Sequence, residues 1–403
     1  MRTRLKILLL STLNTLFLLW ATFVLLNIAY PYDDESILIK WTSVLRNMVK
    51  ESTSKPNPER FVFVNVAWDK ALIPKYDDEI PEYKIPIGVE PITDREKLLK
   101  FFTILNKKPD NHKFLMCDVF FAGESDYDSL LQVELLKMKN YCVSYHKNDE
   151  GGLDLPMFEA ARALADYEHF DDLCLKFRIF HDDSLLSVPL YMYQQINGVN
   201  FEPKQLLHAI DGKPVLNSFI LDHRVRNYDF WKSRGDTTGI TYNMVLLGEL
   251  LLLDEAGIQE MMHDKIIILG DFINDAHETI YGEMPGSVIL LNAYLALEAG
   301  ENVVSWPFIL FLTMAYFFIS YRCFDDNDAY DQWIRRVFKG KTAQFIVTFT
   351  GYALVFGLLS VISYLIFNKH LTILVLAIYM NVLEKVYSYL MRKFFRRKEE
   401  ATL

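Results

Sequence analysis

Four aspartates and a threonine carry the chemistry that this sequence offers. Asp69 and Asp271 follow predicted strands over 61–68 and 265–269, Asp118 lies inside a third over 114–121, and Asp275 and Thr279 sit in the loop after the last. In open α/β sheets, ligands bind beyond the carboxyl ends of the strands, where the strand order reverses. If these strands are neighbours, Asp69, Asp118, Asp271, Asp275 and Thr279 converge on one edge. Hard oxygen ligands of that kind suit a divalent cation, or an amine or amino-acid-like molecule. The structural alternative carries more weight at this level: Asp69 and Asp275 cap helices, and Asp118 is a buried, hydrogen-bonded acid.

Other chemistries lack their motifs. The chain has no phosphate-cradling Gly-rich loop with Lys, no HExxH pair and no GxSxG elbow, so neither an enzyme activity nor a cofactor is expected. His181-Asp182-Asp183 and Met262-His263-Asp264 are isolated clusters that fit no metal-ligand spacing and read as loop or cap features. Cys117, Cys142 and Cys174 are odd in number and widely spaced, which implies no disulfide framework. Residues 30–302 hold 27 Lys plus Arg against 45 Asp plus Glu, a balance of −18. That field disfavours nucleic acid and other polyanions and concentrates cations, although solubility alone accounts for it.

The elements that must position these acids lie between membrane-length runs. Residues 7–29, 303–321, 343–367 and 371–383 are apolar and uncharged. About 20 apolar helical residues cross a bilayer core. Arg2, Arg4 and Lys6 precede the first run, Arg322 to Lys341 follow the second, and Arg392 to Lys398 follow the last. The positive-inside rule then places both termini in the cytoplasm and residues 30–302 outside, in a cell (inner) membrane, with the bilayer as first partner. The first run is too long for a signal peptide and lacks a small-residue cleavage site. The expected division is therefore an anchor over 1–29, an extracytoplasmic domain over 30–302, a three-helix bundle over 303–391 with a cytoplasmic loop at 322–342, and a basic tail over 392–403. Within that loop, Tyr330, Trp333, Ile334, Val337 and Phe338 recur at helical spacing and suit an interfacial helix, and Asp325, Asp326, Asp328 and Asp331 form a solvated acidic cap. Asn368, Lys369 and His370 form a tight outside turn, and Glu384 and Lys385 interrupt the fourth run near its basic end.

The central stretch alternates strand-like and helix-like segments, the mark of an α/β layer structure with a largely parallel or mixed sheet and flanking helices. Thr93 and Glu96 read as a capping box for a helix, Asp126 opens another through Lys139, and 141–145 is a strand. Residues 158–166 and 242–253 read as helices, and 285–297 leads as a helix toward the second span.

Residues 265–300 (KIIILGDFINDAHETIYGEMPGSVILLNAYLALEAG) resemble the closing block of the CHASE sensor domain of the second type, the cyclase/histidine-kinase-associated sensory extracellular domain. Lys265, Gly270, Asp275, Thr279, Pro285, Gly286, Asn292, Ala293 and Gly300 fall on that pattern, and the strands ending near Asp69 and carrying Asp118 match two earlier blocks. The layout of one anchor, an outside domain and three membrane helices is also similar. The resemblance implies an envelope sensor. Where the family carries a His-Ala pair, this chain has Leu290 and Leu291. Where members commonly continue into a kinase, cyclase or phosphodiesterase, about thirteen residues follow Leu390 here, so output is expected from a separate membrane or cytoplasmic protein. The alternative function is a non-signalling envelope assembly or scaffold protein; a transporter or enzyme fits least.

Overall fold

Phe61 to Asn65 (FVFVN) has no polar alternation and forms a strand buried on both faces, as expected inside a parallel sheet covered by helices. The computed structural model describes residues 2–76, 86–121, 123–148, 150, 152–156, 158–181, 185–230, 241–325 and 336–400. These form two compact units: a helical unit of 1–47, 202–220 and 301–403, and a central unit of 48–201 and 221–300. Residues 30–47 and 202–220 thus group with the long helices.

In the central unit, strands β1 (Phe61–Asn65), β2 (Lys70–Tyr76), β3 (Pro86–Thr93), β4 (Phe114–Asp118), β5 (Tyr141–Lys147), β6 (Leu153–Asp154), β7 (Arg162–Leu164), β8 (Met244–Leu246) and β9 (Ile266–Gly270) carry the framework. The main sheet runs β8-β1-β9-β4-β5, with β5 paired to both β6 and β7. All its pairs are parallel except β5 with β6. β2 and β3 form a separate antiparallel hairpin, as do β10 (Ala276–Thr279) and β11 (Gly282–Pro285).

Side chains alternate across the sheet. Val62, Val64, Leu115, Cys117, Val143, Ile267 and Leu269 join a core with Phe101 and Leu105 of a helix over Arg95–Asn106, Leu131 and Leu135 of one over Asp128–Lys137, and Ile258 and Met262 of one over Glu255–Met262. The residues between them face the other way; Phe114 meets Tyr191 of the helix Val188–Asn197, which packs against the helix Gly286–Glu298, buried from Gly286 to Leu297. The result is a largely parallel sheet with helices on both faces.

Several expected boundaries change. Asp94, not Thr93, caps the helix Arg95–Asn106, its carboxylate accepting from the Glu96 and Lys97 amides at 3.0 and 3.1 Å. Thr93 is held in β3 opposite Lys70 and is not free to cap. The first strand stops at Asn65, whose side chain accepts from the Ala67 amide and turns the chain. The helix expected from Asp126 starts at Asp128. The 158–166 segment is not a helix: Arg162 to Leu164 form β7 beside β5, with the Val143 amide donating to the Ala161 carbonyl and the Ala165 amide to the Tyr145 carbonyl. The sheet ladder overrides local helix propensity there. Residues 242–253 split into β8 and one turn of helix, Leu247–Leu250, because the edge beside β1 takes the first part as a strand.

Among the described residues the helical unit contains four helices long and apolar enough to cross a membrane: 4–26, 306–324, 341–367 and 373–391. The first is packed on the second. Sparse polar pairs join them, with Thr22 and Tyr316 hydroxyls 2.7 Å apart and Asn14 donating to Ser320 at 2.8 Å. Such pairs substitute for the hydrophobic effect, which is absent between helices in lipid. Glu384 is buried and accepts from the Tyr352 hydroxyl at 2.9 Å. The interfacial helix over Tyr330, Trp333 and Ile334, and the acidic residues Asp326, Asp328 and Asp331, lie outside the described residues.

Candidate functional site

The direction in which each strand leaves the sheet decides where a crevice opens. β4 exits toward the helix Asp128–Lys137 on one face, while β9 exits through the β10–β11 hairpin to the helix Gly286–Glu298 on the other. Adjacent parallel strands whose following helices part to opposite faces leave a gap at their carboxyl ends. Asp118, the last residue of β4, lies in register with Gly270, the last of β9. Gly286 lets the β9 exit loop close tightly. A methyl group there would stand 2.5 Å from Asp275 Oδ2, and the Gly286 amide donates to the Asp275 carbonyl at 3.0 Å.

The crevice carries two acid–imidazole pairs. Asp275 Oδ1 is 2.9 Å from His277 Nε2, and Asp166 Oδ1 is 2.9 Å from His146 Nδ1. The rings of Tyr167, His169 and His277 gather at centroid distances of 5.1 to 5.7 Å. Burial, and then the nearby Asp275 charge, push the Asp118 carboxyl up to about 6; Ser144, His146 and His277 oppose the shift. The Asp166 hydrogen bond raises His146 against burial. Ser144 is buried; its hydroxyl lies near enough to favour the Asp118 carboxylate yet makes no well-formed hydrogen bond. Beside it opens a cleft of about 360 Å³ lined by Phe120, Phe121, Leu153, Asp154, Leu155 and Pro156. A cleft of mixed lining next to a buried carboxyl suits a small molecule with an amine or other hydrogen-bonding cationic head.

The structure divides the five residues singled out in the sequence. Asp118 and Asp275 come together. Asp69 is buried, pairs with Lys97 Nζ at 2.6 Å and accepts from the Gly248 amide at 3.2 Å, which holds the Leu247–Leu250 turn. Asp271 accepts from Lys70 Nζ at 3.1 Å and from the Ile273 and Asn274 amides. Burial alone raises its carboxyl, but the bonds from Asn274, Ile273 and Lys70 outweigh it and hold the group below the usual range. Thr279 Oγ1 donates to the Gly282 carbonyl at 2.7 Å and closes the β10–β11 turn. Among the described residues no group of three or more His, Cys, Asp or Glu is placed to hold a metal ion.

His146, Asp166, Tyr167 and His277 belong to no motif, so sequence spacing passes over them. His277 carried the only local signal, two residues from Asp275 on one strand edge. Leu290 and Leu291 are fully buried.

No family model, no curated protein and no solved structure matches the chain.

Proposed function

We propose that the chain is a multi-pass membrane sensor of the CHASE type, second form, whose central unit binds a small cationic ligand in the Asp118–Asp275 crevice. The observation that carries this reading is the crevice itself: a strand-end carboxyl at the topological switch point, flanked by imidazoles and an open cleft, in a unit joined in sequence to membrane-length helices on both sides. The central unit lies outside the cytoplasm, periplasmic in a Gram-negative cell, and both termini lie inside. The basic segments at Arg2 to Lys6, around Arg336, Lys339 and Lys341, and over Arg392 to Lys398 support that orientation. A separate membrane or cytoplasmic protein supplies the output. A ligand moves the equilibrium between two states only by its difference in affinity for them, so binding must favour one arrangement of the central unit.

Reporter fusions that are active only outside the cytoplasm test the orientation. Fusions after Ser52 and near Asn368 are expected to be active, and those after Lys341 and Leu403 silent. Activity at Leu403, or silence after Ser52, overturns the topology on which sensing rests. Co-purification of the full chain in mild detergent should return an output protein whose yield changes with ligand. A constant complex with no output domain would instead favour an assembly role.

A further inference from the structure

The helix Asp33–Ser54 follows the first membrane-length helix by six residues, and its first half belongs to the helical unit. One face is pinned to the ends of two other long helices. Asp34 Oδ2 accepts from the Leu374 amide at 2.8 Å, in the first turn of the helix Ile373–Glu400. Thr42 Oγ1 lies 2.7 Å from His370 Nε2, and Ser43 Oγ lies 3.0 Å from the hydroxyl of Tyr364, in the last turn of the helix Lys341–Phe367. Arg46 hydrogen-bonds Asn368 and pairs with Glu301 at 3.6 Å. From Asp34 to Arg46 is about 18 Å of helix at 1.5 Å per residue. This stretch is therefore held alongside the membrane-helix ends over its whole length, and the tight turn at 368–370 is buried.

The opposite face is apolar and open. Ile37, Trp41 and Val44 recur at spacings of four and three, half a turn away from buried Ile39 and Thr42, and are 56%, 72% and 43% exposed. Lys40 flanks the stripe. The neighbouring helix ends are exposed in the same manner, with Leu365 and Ile366 on Lys341–Phe367 and Trp306 at the start of Trp306–Phe324.

We infer that Ile37, Trp41 and Val44 form a bilayer-contact surface that seats this helix in the interfacial layer beside the spans. The occupant follows from continuity: the stripe lies beside the ends of membrane-length helices whose outward apolar residues are exposed as its own are. Its chemistry agrees, since Trp is enriched at membrane interfaces and an amphipathic helix buries an apolar stripe at the headgroup–acyl boundary. The seated helix is a lateral anchor that holds the depth of the chain before it continues into the central unit.

Accessibility of single spin labels in the full chain, reconstituted in phosphatidylcholine–phosphatidylglycerol vesicles with Cys323 replaced by serine, tests this. Labels at Ile37→Cys, Trp41→Cys and Val44→Cys should collide severalfold more with oxygen than with a water-soluble nickel complex. A label at Leu252→Cys, on an exposed loop of the central unit, should show the reverse preference. Stripe labels that favour nickel, as Leu252 does, would make the face aqueous and overturn the inference. Labels shielded from both reagents would mean a protein cover, such as a second copy, and overturn it equally.

Discussion

Asp69 and Asp271, and Asp118 and Asp275, all lie at or just beyond the carboxyl ends of parallel strands and meet opposite fates. The first two are neutralised by lysines 2.6 and 3.1 Å away and spend their remaining lone pairs on backbone amides. The second two lie near each other beside the imidazoles of His146 and His277, and the Asp118 carboxyl rises to about 6 while Asp271 falls below its ordinary value. Position at a strand end makes an acid available to a crevice; its partner decides whether it is available to a ligand.

Both halves stand on β9, so the harshest way to break the comparison is to remove that floor. Ile267 is fully buried between β1 and β4, and Ile267→Asp should unfold the central unit, a loss of several kcal/mol that rivals total domain stability. Loss of cooperative melting by circular dichroism is the expected readout. Asp69→Ala should come next, at about 2–3 kcal/mol, because it strands the Gly248 amide and unpairs Lys97; denaturant melts measure it.

Asp118→Asn should act in the other direction. The folded protein holds the Asp118 proton to about pH 6, whereas the unfolded chain releases it near 3.8, so this group's stabilisation is full below 3.8 and is lost as pH rises through 6. The variant should therefore gain about 1–2 kcal/mol over the parent at pH 7, a figure discounted for the residue's partial exposure, and no gain should remain near pH 3. Asp271→Asn should do the reverse and least, costing at most about 1 kcal/mol at neutral pH, with the difference vanishing in acid. Melts of the two variants between pH 3 and 8 give curves of opposite slope relative to the parent.

Much of the frame was legible because its signals are long or periodic. The first three apolar runs are long enough to be read as spans by length, the fourth is cut short by Glu384 and Lys385, and FVFVN and KIIIL lack the alternation of exposed strands. The misread segments are those where tertiary pairing outranks local preference: Ala161 to Ala165 have helix-forming side chains but complete the ladder on β5, and Thr93 is a sound cap residue claimed by a hairpin. The site was half legible. Strand-end position marked Asp118 and Asp275, but nothing in the spacing shows that Lys97 and Lys70 reach Asp69 and Asp271, or that His146 and Asp166 arrive from β5 and the loop after β7. The helix Asp33–Ser54 was not anticipated, because apart from Ile39 its buried face is largely polar: Thr42, Ser43 and Arg46 find partners only in the folded bundle.

The most direct test of the account is thermal denaturation of the purified full chain in detergent against a panel of divalent cations, primary amines and amino acids, repeated on Asp118→Asn, Asp275→Asn and Asp271→Asn. An amine or amino acid is expected to raise the melting temperature of the parent and of Asp271→Asn, and to leave Asp118→Asn and Asp275→Asn unmoved. A melting temperature that no compound shifts, or that shifts equally in all four proteins, would contradict the crevice as a binding site and return Asp118 and Asp275 to structural roles.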